Sequence, residues 1–289
     1  MKFGVNTLLW TASFGQEDLP LLEKVKRWGF DGIEIARFSF EGFPARLLRE
    51  EVRNAGLEPV FCSALTGELS LVSEDPALRR AAGDFLKRAI ETAAELGSSL
   101  LVGPYLAPVG GLTGRRATED EWKRGVDGIR ALTGWLREHG VTLALEPLNR
   151  FETYVMTTAA DARRFCDEIH DPYVGVLFDT FHANIEEKGL GDAIRALGPH
   201  LAHVHVCEND RGIPGTGHVA WDEVFGALRE AGYDGWCVIE SFGSCVPEIA
   251  AAACIWRDLA PDAETLAREG LVFLKDAAAR AMGAAASAV

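Results

Sequence analysis

His139-Gly140-Val141-Thr142-Leu143-Ala144-Leu145-Glu146-Pro147 carries three signals in a row. Gly140 closes a helical stretch, because glycine takes the left-handed C-cap conformation at no steric cost. The apolar run after it suits a strand buried on both faces. Glu146 then ends the run. The same unit recurs along the chain, with candidate strands at 3–7, 32–35, 58–62, 99–102, 142–146, 174–178, 202–206 and 237–240. Helical patterns follow each, such as 19–28 and 78–96. Several helices close on Gly just before the next strand: Trp28-Gly29-Phe30, Ala55-Gly56-Leu57, Leu96-Gly97-Ser98 and Ala231-Gly232-Tyr233. Such alternation predicts a parallel sheet with crossover helices. Eight units predict an α/β chain closed into a single (β/α)8 TIM barrel over residues 1–289, with a C-terminal helix at about 262–284. An open doubly wound sheet is the alternative.

Bulk properties agree with one large core. The chain has 289 residues and is 48% hydrophobic, and α/β barrels reach this size as one domain. Its formal net charge of −14 argues against a nucleic-acid partner, which needs clustered Lys and Arg. A small neutral polyol or a metal cation fits better. The six cysteines, Cys62, Cys166, Cys207, Cys237, Cys245 and Cys254, form no CxxC pair. Met1-Lys2-Phe3-Gly4-Val5-Asn6 reads directly as a strand, without the apolar core of a signal peptide. Reduced thiols in a cytoplasmic protein are expected, with Cys166, Cys237 and Cys254 as inert packing. No run of about 18 apolar residues suggests a membrane span.

Active sites of such barrels lie at the C-terminal ends of the strands, so strand-final residues are the ones to read. The fifth strand ends in Glu146, the sixth in Asp179 (Val176-Leu177-Phe178-Asp179-Thr180) and the eighth in Glu240 (Val238-Ile239-Glu240-Ser241), while the seventh carries His205. Their separations of 33, 26 and 35 residues are each about one βα unit. Four metal-capable side chains are thus expected on one rim. Three carboxylates and one imidazole make an oxygen-rich site suited to Mn²⁺, Mg²⁺ or Co²⁺. In His203-Val204-His205 both rings face one side of the strand. His205 is nearer the rim and is the expected ligand, with His203 a hydrogen-bonded residue one layer deeper.

Leu148-Asn149-Arg150-Phe151-Glu152, the run from Asp179-Thr180-Phe181-His182 to Glu187, the segment from His205 to Arg211 with Pro214-Gly215-x-Gly217, and Trp256-Arg257-Asp258-Leu259 carry a further signal. Together they resemble the D-tagatose 3-epimerase/D-allulose (D-psicose) 3-epimerase family of ketose 3-epimerases. The resemblance implies one divalent ion per subunit, Mn²⁺ first, held by Glu146, Asp179, His205 and Glu240. It implies that Glu152, His182 and Arg211 bind the O1–O3 end of a free ketose of the D-tagatose, D-allulose, D-fructose or L-ribulose type. It implies Glu146 and Glu240 as the two catalytic bases flanking C3, with an enediolate between them, and a homodimer or homotetramer.

Departures from the family pattern concern the pocket wall. Asn6 stands where members often carry an aromatic, and Ser241 where a Pro is common. Asn6, Cys62, Tyr105, Phe242 and Trp10 are the expected wall residues. Gly110-Gly111-Leu112-Thr113-Gly114 lacks the Lys and the strand–helix context of a nucleotide loop and is read as a plain loop. Residues 46–53 are expected as a solvated helix face. A hydroxypyruvate-type aldose–ketose isomerase or an inosose dehydratase would share the metal and the glutamates. A zinc phosphodiesterase on abasic DNA would need more histidines and a basic face, which seven His and the charge of −14 disfavour. A non-catalytic sugar binder would not keep both glutamates.

Overall fold

The computed structural model describes residues 1–242 and 246–283, so Cys245 and position 284 of the expected C-terminal helix lie outside the described residues. The first half runs β1 (Lys2–Asn6), α1 (Pro20–Trp28), β2 (Gly32–Ala36), α2 (Ala45–Asn54), β3 (Glu58–Cys62), α3 (Pro76–Leu96), β4 (Leu100–Gly103), α4 (Glu119–Arg130) and α5 (Thr133–His139). The second half runs β5 (Thr142–Leu145), α6 (Ala159–Ile169), β6 (Val174–Asp179), α7 (Thr180–Glu186), α8 (Leu190–Leu197), β7 (Leu201–His205), α9 (Trp221–Glu230), β8 (Trp236–Ile239), α10 (Pro247–Ala252) and α11 (Ala263–Gly283). Each strand pairs in parallel with the next. β1 also pairs with β8, Gly4 opposite Val238 and Val5 opposite Ile239, which closes the barrel and removes the open-sheet alternative.

Local chemistry explains the element ends. Gly29 and Gly97 hold φ of 98° and 83° at the C-caps of α1 and α3, and the other three glycines expected at helix ends also have positive φ. Thr118 and Glu121 form a reciprocal capping box that starts α4, as Thr158 and Asp161 do for α6. Strand limits fall within one residue of expectation. Glu146 and Glu240 therefore sit one position beyond β5 and β8 rather than within them.

Alternation along the strands sorts the core into two layers. Ile33, Ile35, Phe61, Leu143, Leu145, Val176, Phe178, Val204 and Ile239 join the continuous apolar layer that meets the helices. Ala36, Val60, Cys62, Val102, Ala144, Leu177, Trp236 and Val238 form a separate inner cluster. Trp236 plugs the lower end, where a Cβ on Gly32 would come within 2.4 Å of its ring. Each fully buried Ile, Leu or Phe of the outer layer contributes about 1.5–3 kcal/mol, and that excess lets the inner layer carry buried charge. No helix among the described residues is long and apolar enough to cross a membrane.

Candidate active site

Four adjacent strands deliver their terminal side chains to one point. Glu146, Asp179, His205 and Glu240 are all buried, and each offers a ligand atom within 4.8 Å of the others. His205 Nδ1 lies 3.4 Å from Glu240 Oε2, 3.5 Å from Asp179 Oδ2 and 3.9 Å from Glu146 Oε1. Asp179 also caps α7, accepting from Phe181 N at 2.6 Å through Oδ1, which leaves Oδ2 for the cluster. Beneath this layer His205 Nε2 meets Glu34 Oε1 at 2.9 Å. A carboxylate only accepts, so Nε2 carries the proton and Nδ1 keeps its lone pair whenever the ring is neutral.

The electrostatics call for a cation. Three buried carboxylates face one guanidinium, that of Arg211, whose Nη1 is 2.7 Å from Asp179 Oδ2 and 3.1 Å from Glu240 Oε2. Burial would raise the Asp179 carboxyl, but Arg211 beside it holds it below the usual range. Glu146 is pushed well up, first by burial and then by repulsion from Glu240. Burial pushes the His205 ring down, yet Glu240 and Glu34 outweigh it and raise it well above its ordinary value. Glu146 Oε1 and His205 Nδ1 are buried without a hydrogen-bond partner. Native interiors rarely leave such atoms unsatisfied, so two orphans in one acidic cluster fit a metal ion. The donor set, three carboxylates and one imidazole, suits a hard divalent cation.

A second group of polar residues overlooks the cluster. His182, in the first turn of α7, accepts from Asn149 N at 3.2 Å through Nδ1, with Asn149 Nδ2 at 2.9 Å from the same atom. Burial lowers its pKa, and its Nε2 lies 3.2 Å from Arg211 Nη2 and 3.5 Å from Glu146 Oε1. Asn149 Nδ2 also donates to Glu152 Oε1 at 2.7 Å. The Arg211 guanidinium lies between the rings of Phe181 and Phe242, 4.2 Å and 4.9 Å from their centroids. Its backbone has φ of 65°, a left-handed conformation that costs a non-glycine residue about 1 kcal/mol or more. Arg211 N donates to Glu208 O at 3.0 Å, and Ser241 Oγ donates to Arg211 O.

The chain is similar to known sugar epimerases. Residues 22–277 match the family model of the xylose isomerase-like TIM barrel. A "Probable ketose 3-epimerase" of Synechocystis sp. is 38% identical, covering 95% of this chain and 96% of its own. A D-psicose 3-epimerase of Agrobacterium fabrum is 34% identical over 94% of this chain and 98% of its own. The solved structure of an L-ribulose 3-epimerase superposes with a TM-score of 0.94 at 29% identity, over 98% of this chain and 96% of that one. The chain belongs to the ketose 3-epimerases. It is an isomerase-class enzyme of sugar metabolism, built on the barrel that the strand pattern predicts.

The residues expected to line the pocket of this epimerase sit at different depths in the barrel. Cys62, the last residue of β3, lies in the inner cluster, and its thiol is pushed up by burial and then by Glu34 and Glu240. Phe242 is half-buried against Arg211. Tyr105 is fully buried and its hydroxyl donates to Val102 O at 2.6 Å, so it packs the wall without offering a free polar atom. Asn6 is fully buried, its amide donating to Glu34 Oε1 at 2.6 Å and reaching Glu240 Oε1 at 3.5 Å while its oxygen accepts from Leu8 N at 2.9 Å. Trp10 stacks on Trp28 with centroids 6.2 Å apart. His182 is on α7 rather than on a loop, since Asp179 starts that helix directly. Cys254 is exposed, with φ of 55°, rather than core: its apolar neighbours belong to a surface connection of which only Ile255 is buried.

Three residues of the site escape the sequence reading. Glu34 is fully buried on β2, with Oε2 2.8 Å from His203 Nε2, which places His203 in the deeper layer expected for it. Burial opposes its charge, yet His205 and His203 hold its carboxyl well below the usual range. Asn149 bridges Glu152 and His182. Glu208, also fully buried, accepts from Asn209 N, Gly215 N, Val219 N and Trp221 Nε1 at 2.7 to 3.1 Å. A glutamate inside an otherwise apolar strand, as in Gly32-Ile33-Glu34-Ile35-Ala36, was the available signal for the first.

Proposed function

We propose that this enzyme is a divalent-metal-dependent 3-epimerase of free ketoses, with Mn²⁺ as its ion. The observation that carries the reading is the convergence of Glu146, Asp179, His205 and Glu240 with two orphaned ligand atoms between them. The ion would be held by those four residues and would supply Lewis-acid charge for the oxygens on C2 and C3 of the sugar. Glu146 and Glu240 come from strands three steps apart around an eight-strand ring, so they can flank a ketose from two sides. Glu146 takes the C3 proton, the electron pair of the C–H bond forms the C2=C3 double bond, and the C2 carbonyl π pair moves onto O2 to give an enediolate. Glu240, protonated beforehand, gives a proton to the C2=C3 pair on the opposite face of C3 as the O2 pair re-forms the carbonyl. The pair left by the forward reaction is the pair that the reverse reaction needs. Arg211, His182 and Glu152 orient O1 to O3, with His182 Nε2 placed beside Arg211 Nη2 and Glu146 Oε1.

Support for a free rather than phosphorylated sugar comes from charge. Arg211 is already committed to Asp179 and Glu240, and the rim residues described above add no other cation. The relatives' names are those of enzymes acting on unphosphorylated sugars. The homo-oligomer belongs to the same reading, and Phe151 and Trp256, 70% and 78% exposed, are the large apolar groups such a contact would cover.

The test is proton NMR on a panel of ketohexoses and ketopentoses in D2O with Mn²⁺. Deuterium should enter at C3 as the C3 epimer accumulates. Glu146→Gln and Glu240→Gln should each lower kcat by about 10³-fold while circular dichroism stays unchanged. An aldose product, or ordinary turnover by either variant, would overturn the proposal.

A further inference from the structure

We infer that Glu34 is a positioning residue of the metal centre, fixing His205 directly and Glu240 through Asn6 with one buried carboxylate. The inference rests on the metal reading proposed above. Glu34 Oε1 receives two contacts, His205 Nε2 at 2.9 Å and the Asn6 amide at 2.6 Å. That amide also reaches Glu240 Oε1 at 3.5 Å, and Leu8 N, donating to its oxygen at 2.9 Å, fixes which end of it is the donor. The second Glu34 oxygen lies 2.8 Å from His203 Nε2, a close contact outside hydrogen-bond geometry, so the anchoring runs through Oε1.

Two features separate this from ordinary core packing. Its neighbours in the inner layer, Val60, Val238 and Leu177, show what the barrel puts there when only volume is needed. A fully buried carboxylate in their place is costly unless a partner depends on it. Geometry supplies the dependence. An imidazole has two nitrogens on a ring that can turn over, and only a fixed acceptor at Nε2 keeps Nδ1 unprotonated and facing the cluster. Glu34 is that acceptor, and no ligand of the proposed ion comes from its own strand.

The experiment measures metal binding rather than turnover. Metal-stripped full-length protein is titrated calorimetrically with Mn²⁺, and the visible spectrum of the Co²⁺ form reports on imidazole ligation. Glu34→Ala should weaken Mn²⁺ binding by about 10- to 100-fold and alter the Co²⁺ bands. Glu34→Gln keeps the volume and one acceptor oxygen, so it should recover part of that loss. A purely structural role would lower Tm and leave the dissociation constant and the Co²⁺ spectrum unmoved. If Glu34→Ala does not fold, Glu34→Gln decides: weakening by about fivefold or more supports the inference, and anything smaller overturns it. A parent protein that takes up no divalent ion would overturn the metal reading itself, whereas parent and Glu34→Ala binding equally would remove only the role of Glu34.

Discussion

Asn149 is the smallest unit on which the proposed chemistry turns. Its side-chain NH2 has two hydrogens and two receivers, Glu152 Oε1 and His182 Nδ1, and its own backbone N–H reinforces the second. Nδ1 of His182 is thereby held as an acceptor, while its Nε2 faces Arg211 Nη2 and Glu146 Oε1. Asn149→Asp should reverse this by replacing a donor with an acceptor, which repels Glu152 and draws the imidazole proton to Nδ1. The expected result is a kcat lower by about 10²-fold, within the usual range for displaced acid–base groups. Asn149→Ala removes the donor without reversing the tautomer and should lose less. Equal rates in the two variants would end the tautomer argument. Sequence showed Asn149 only as part of the Leu148-to-Glu152 resemblance, with no role of its own, because a bridging role depends on two partners that meet in space. The four strand-end residues were legible for the opposite reason: period-2 alternation and barrel closure fix their direction without any side-chain contact.

The connection from β7 to α9 is the element that presents Arg211. Glu208 organises it from within, and the glycines of Pro214-Gly215-x-Gly217 exist to let the chain close around that carboxylate. A Cβ at Gly217 would fall 2.0 Å from Asn209 Oδ1 and 2.6 Å from Glu208 Oε1, and Gly215 holds φ of 92°. The motif was readable as a family resemblance, but its cause was not, since Glu208 looks like any loop acid until its four donors are seen. Glu208→Gln turns one acceptor into a donor facing two of those N–H groups. Each buried group left unsatisfied costs about 1–3 kcal/mol, so stability should fall by about 2 kcal/mol or more, read from the denaturant midpoint. KM should rise more than kcat falls, because the strained Arg211 backbone loses its support before the glutamates do. A stable variant with unchanged KM would show that Asp179, Glu240, Phe181, Phe242 and Ser241 hold Arg211 without help from Glu208.

At the scale of the whole molecule the acidic cluster links folding, protons and metal. Eight staves force three carboxylates together, and the barrel meets that repulsion with Arg211 and by raising Glu146 and His205 well above their ordinary values. In metal-free protein both groups therefore keep their protons to a higher pH than usual, and metal binding has to displace them. Binding must release them, so Mn²⁺ affinity should increase as pH rises and flatten only above the raised pKa values of the metal-free state. The sign follows from the direction of the shifts: the folded apo form binds more protons than the metal-bound form, and lowering pH favours apo. Calorimetry in buffers of different ionisation enthalpy should show proton release. At about 100 times its dissociation constant, Mn²⁺ adds about 2.7 kcal/mol of stability, which corresponds to a Tm increase of roughly 5 °C that EDTA reverses. A Tm indifferent to Mn²⁺, or binding that takes up protons, would mean that these four side chains balance one another and hold no ion.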